Sequence, residues 1–95
     1  MIERHVTFTV QPGKTADFDR FFADRYRPAM SASPGFVRLE LLREADDQTR
    51  YQMLLRFQDA ETAAGWRTSP AHQALQPALA ALVSTSEIQA YVVIG

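Results

Sequence analysis

The chain has 95 residues, no cysteine, and ten basic residues against eleven acidic ones, for a net charge of −1. That length suits one domain over residues 1–95, the lack of thiols excludes disulfides and thiolate chemistry, and no Cys/His set is left for a structural zinc. The near-even charge excludes a general nucleic-acid binder, which needs a basic surface to displace counterions; stability must come from a composition that is 46% hydrophobic, from a partner subunit, or from both.

The opening Met1-Ile2-Glu3-Arg4-His5 alternates and carries charge, unlike a secretion signal. No apolar run is long enough for a bilayer, so a soluble, cytoplasmic protein with no membrane partner is the expectation. Residues 2–10 read as a half-buried strand, with Ile2, Val6, Phe8 and Val10 on one face and Glu3, His5, Thr7 and Thr9 on the other. Gln11-Pro12-Gly13-Lys14 is turn chemistry. Thr15 is a candidate N-cap for an amphipathic helix of about four turns carrying Phe18, Phe21, Phe22, Tyr26 and Met30, with Pro28 loosening or kinking its end.

Ser33-Pro34-Gly35 breaks the chain before a second strand over 36–44, in which Val37, Leu39 and Leu41 oppose Phe36, Arg38, Glu40 and Leu42. A polar turn at 45–48 joins it to a third strand over 49–57, with Tyr51, Met53, Leu55 and Phe57 on one face. So short a link makes the pair an antiparallel hairpin. Asp59 caps a helix to about Arg67, and Ser69-Pro70 restarts it through about residue 83 with an expected kink at Pro77. A last strand is expected over 86–94, with Ile88, Ala90, Val92 and Ile94 alternating against Gln89, Tyr91 and Val93.

The order β-α-β-β-α-β specifies an α+β, ferredoxin-like fold: a four-stranded antiparallel sheet with both helices on one face. The helix-free face then presents Thr7, Thr9, Phe36 or Leu42, Leu54, Tyr91 and Val93 among arginines. A partly apolar bare sheet points to a homodimer in which two such faces meet as a dimeric α/β barrel. A monomer with a half-wet sheet is the alternative.

Several stretches together resemble the antibiotic biosynthesis monooxygenase family. They are Val10-Gln11-Pro12-Gly13-Lys14, Ser33-Pro34-Gly35-Phe36, and Tyr51 to Phe57 followed by Asp59-Ala60-Glu61. The most specific is Trp66-Arg67-Thr68-Ser69-Pro70-Ala71-His72, a Trp-x-x-Ser-x-x-His pattern. The resemblance covers nearly the whole chain. It implies a pocket between sheet and helices, and in the quinone-forming members a reaction without metal or flavin: an electron-rich aromatic is deprotonated and its anion reacts with dioxygen. Such chemistry needs an apolar slot, a hydrogen-bonding partner for the phenolate and exclusion of water. The haem-degrading members use an Asn on the first strand, where this chain has Val6, and a wider Trp-to-His spacing. Haem degradation is therefore disfavoured.

Trp66 and His72 are the candidate catalytic residues, and Val6, Phe8, Phe22 and Tyr26 the candidate substrate-binding ones; no cofactor or metal is expected. Each has a plainer reading. Trp66 is also the largest filler for a small core, His72 lacks an evident acidic partner and sits where it can simply fix a loop, and an aromatic stripe at helical spacing is ordinarily core. His5, on the opposite strand face, is expected at the subunit contact, and Arg38, Glu40 and Arg56 in ion pairs. Three functions stay open: a cofactor-independent monooxygenase on a phenolic or polyketide-like aromatic, a non-catalytic dimer that binds a small apolar molecule, and an isomerase using His72 for proton transfer.

Overall fold

A computed structural model describes residues 1–95. Its elements in chain order are β1 (Ile2–Val10), α1 (Thr15–Phe21), a π-helical turn (Phe22–Tyr26), α2 (Arg27–Ser31), β2 (Phe36–Arg43), β3 (Arg50–Phe57), α3 (Ala60–Thr68), α4 (Pro70–Leu82) and β4 (Val83–Val92). The strands form one antiparallel sheet in the order β2-β3-β1-β4. This is the ferredoxin-like order that the alternation predicts. No helix is long and apolar enough to cross a membrane.

All sixteen buried residues are hydrophobic. One face of β1 and β3 supplies Val6, Phe8, Val10, Tyr51, Met53, Leu55 and Phe57, and the helices lay Phe18, Phe21, Phe22, Tyr26, Met30, Ala63, Trp66 and Leu75 over it. The period-two pattern of the central strands and the three- and four-residue steps of the first helix therefore meet in one core.

Four local expectations change. Thr15 is not an N-cap: the cap is Lys14, which makes no side-chain bond, and Thr15 is the first helical residue. The disturbance attributed to Pro28 appears one turn earlier. Proline has no N–H for the Asp24 carbonyl and its ring crowds that group, and the preceding turn widens until the Arg27 N–H donates to the Phe22 carbonyl. On β2, Phe36 pairs with Phe57 but Arg38 pairs with Arg56, so Val37 is the extra residue of a bulge. Phe36 is thereby turned onto the helix side, edge-on to Phe57 at 6.3 Å, and does not belong to the helix-free face. Finally, β4 starts at Val83 and ends at Val92, because it keeps pairing with β1 as far as Val10. Helix α4 runs on through Pro77 to Leu82.

The helix-free face is more polar than the alternation suggests. Glu3 accepts two bonds from Arg56, at 2.7 and 2.9 Å, and contacts His5 Nε2 at 2.8 Å. Arg38 pairs with Glu40 at 3.2 Å. The apolar groups left there are chiefly Leu42 and Tyr91, 44% and 45% exposed, and half-buried Leu54 and Val93.

Candidate active site

The break between α3 and α4 builds the site. Ser69 has extended backbone (φ −68°, ψ 150°), and Pro70 opens α4 with the φ a first helical turn requires. The Ser69 hydroxyl donates to the Trp66 carbonyl at 2.8 Å and accepts from the His72 N–H at 3.1 Å. One serine thus closes α3, caps α4 and ties together the residues six apart on either side of it. The indole and imidazole meet edge-on, with ring centroids 5.2 Å apart. The widened turn brings Tyr26 edge-on to the same indole at 6.0 Å.

These rings line a cavity of about 100 Å³ between the sheet and the helices. Its floor is Val6 and Phe8 from β1 with Met53 and Leu55 from β3; its roof is Tyr26, Trp66, Arg67, His72, Gln76 and Leu79; Ser86 and Ile88 of β4 stand at one side and Arg4 at another. Ile88 is 54% exposed because β4 is an edge strand, so that side opens outward. Of the residues singled out in the sequence, Trp66, His72, Val6, Phe8 and Tyr26 converge here. Phe22 does not line the cavity; it lies one layer back, stacked on Tyr26 at 5.3 Å. Tyr51 is used elsewhere, donating to the Asp19 carboxylate at 2.6 Å, and His5 packs on Tyr91 on the helix-free face.

The lining carries positive charge and no carboxylate. Arg4 and Arg67 take part in none of the ion pairs. The Arg4 guanidinium donates once, from Nη1 to the Ala63 carbonyl at 3.2 Å, while its Nε is shielded from solvent without a partner. Burial, and then the neighbouring Arg67, lower the Arg4 pKa. His72 is held below its ordinary value by burial first, then by Arg67 and Arg4. Its imidazole therefore favours the neutral form, with Nε2 3.3 Å from the Gln76 amide nitrogen. Burial pushes the Tyr26 phenol up to about 12, against the opposing pull of the Trp66 indole and of Arg4. The chemistry on offer is a neutral imidazole able to accept a proton, a phenol that stays protonated and can donate, and cations beside an apolar slot.

The sequence reading passed over Arg4, Arg67 and Gln76. Arg4 was legible: the alternation that puts Ile2 and Val6 toward the core puts a guanidinium there too, and a charge on the apolar face of a central strand calls for a reason. Gln76 stands four residues after His72, one helical turn on. Arg67 had no comparable signal.

The chain matches the family profile described as antibiotic biosynthesis monooxygenase over residues 1–78, a span that includes the whole Trp66-to-His72 segment. Among solved structures it is similar to SnoaB, a cofactor-independent oxygenase from Streptomyces nogalater, at 31% identity and a TM-score of 0.90 over 99% of this chain and 93% of that one. A protein from Nitrosomonas europaea superposes with a TM-score of 0.87 at 20% identity over 100% of both chains. One from Methanosarcina mazei does so with 0.84 at 18% over 95% and 89%. At those identities the last two show the fold alone. Among curated proteins there is no significant match.

Proposed function

The chain belongs to the antibiotic biosynthesis monooxygenase family, and on that premise we propose that it is a cofactor-independent monooxygenase acting on a phenolic or polyketide-like aromatic molecule. The observation that carries this reading is the convergence of Trp66, His72 and Tyr26 on one apolar cavity. SnoaB, 31% identical, is a cofactor-independent oxygenase.

The ring of the substrate lies on Val6 and Phe8, with the indole and imidazole edges above it. Neutral His72 accepts a proton from an acidic C–H or O–H of the substrate, and the Tyr26 hydroxyl donates a hydrogen bond to oxygen. The resulting anion supplies electrons to dioxygen. A methylene becomes a carbonyl, one oxygen atom enters the product and the other leaves as water, so the four electrons come from the substrate. A volume of about 100 Å³ is below the roughly 300–1,000 Å³ of ordinary ligand pockets. A polycyclic molecule would therefore extend past Ile88, out of the open side.

The chain acts in the cytoplasm as one unit over residues 1–95, paired as a homodimer through the helix-free sheet face. The absence of any helix from that face and the exposure of Leu42 and Tyr91 support the pairing.

Incubation of the purified protein with an anthrone-type substrate under oxygen tests the activity. The expected result is consumption of dioxygen equal to the quinone formed, well above the rate without protein. Binding with no acceleration would leave a non-catalytic binding module, and conversion with no oxygen uptake would leave an isomerase.

A further inference from the structure

We propose that Arg4 selects the ligand: the cavity takes an aromatic molecule that bears an oxyanion, which docks on the free edge of the Arg4 guanidinium. This deepens the reading above by naming what the substrate must carry, and it rests on the cavity being the ligand site rather than on the reaction being an oxygenation.

Three observations meet at Arg4. It stands on the core face of a central strand, paired with Leu55 and Ala90 on the neighbouring strands, where an aliphatic residue would pack better. Only one of its N–H groups is used, on the Ala63 carbonyl, and the shielded Nε has no partner, although a guanidinium carries five donors. No Asp or Glu lines the cavity, and the other charged or titratable groups there are Arg67, His72 and Tyr26. A half-buried cation with a shielded, unpartnered Nε and no counter-ion is a cost to the free protein. An incoming oxyanion removes that cost and gains a charge-assisted bond, which a neutral ring of the same shape does not.

Calorimetric titration with small probes tests this without reference to turnover. One arm compares 1-naphthoate with 1-naphthamide, its uncharged isostere. The other compares 4-nitrophenol above and below its ionisation. Each anion is expected to bind at least about tenfold more tightly than its neutral counterpart, the scale of a hydrogen bond to a charged group; whichever anion is preferred identifies carboxylate or phenolate as the source. Arg4→Met should abolish the preference and leave the melting temperature unchanged or higher, and Arg4→Lys should restore part of the preference. Equal binding of charged and neutral probes, no saturable binding of either anion, or an undiminished preference in Arg4→Met would each overturn the proposal. Charge-selective binding without oxygen uptake would sink the oxygenase reading and spare this one. Turnover of neutral substrates indifferent to Arg4 would do the reverse.

Discussion

At the scale of single residues, the electrostatics of the cavity make two expectations sharp. Burial, helped by Arg67 and Arg4, lowers the His72 pKa from an ordinary 6.5. The unfolded chain then binds the His72 proton more readily than the folded one does. The stability owed to this group is complete above about 6.5 and is lost as the pH falls below it toward the folded value. Denaturant midpoints across mildly acidic pH should therefore fall more steeply in the native protein than in His72→Gln. If His72 is the base, the same variant lowers turnover and removes a pH dependence on the acid side of 6.5 with little loss of fold. If it only fixes the loop, melting temperature falls and ligand affinity stays. Val6 supports the second expectation. An aliphatic side chain offers haem nothing to hydrogen-bond at the strand position that the resemblance matches to the Asn of the haem-degrading members, so no tight haem binding is predicted. A Soret band titrating to one haem per chain would show this to be wrong.

At the scale of elements, short connections place the rings. Ser69→Ala removes a cap that serves α3 and α4 together and should cost about 1 kcal/mol. Because Ser69 also spans Trp66 and His72, the near-ultraviolet circular dichroism of Trp66 should change with it. A cap with no bearing on the site would lower stability and leave that signal alone. Gly35, before β2, has φ +78°, and a Cβ there would sit 2.4 Å from Thr62 Cβ in the first turn of α3. Both the left-handed backbone and the clash oppose any side chain, so Gly35→Ala should destabilise by roughly 2–4 kcal/mol in denaturant melts. The widened turn at Phe22–Tyr26 has the same positional importance. It follows from Pro28 and delivers Tyr26 to the indole.

At the scale of the molecule, the sheet leaves two surfaces uncovered: the helix-free face, and the β4 edge with Ile88 and Val92 54% and 69% exposed. A homodimer through the helix-free face should sediment as a single species of twice the chain mass at micromolar concentration. Leu54→Glu, at the middle of β3 on that face, should dissociate it by burying an unpaired charge. A native monomer, or a dimer indifferent to Leu54→Glu, would count against that interface and direct attention to the β4 edge.

The strand order, the core faces of β1 and β3, the aromatic stripe and the break at Ser69-Pro70 were all legible in the chain, because each depends on local periodicity or on the stereochemistry of single residues. The meeting of Trp66 with His72 was half legible: the break was visible, while its angle depended on how Ser69 spends its hydroxyl. Tertiary structure alone decided which side Phe36 faces, since one extra residue in β2 reverses the alternation and nothing in the local pattern marks Val37 as that residue. It also decided that Phe22 stands behind Tyr26 instead of beside the cavity, and that the exposed end of α3 brings Arg67 near Arg4. Periodicity says which residues point inward. Which of them touch one another, and which are left with unused donors, depends on how separate elements pack, and that is why the meeting of Arg67 with Arg4 at the site emerged only from the folded chain.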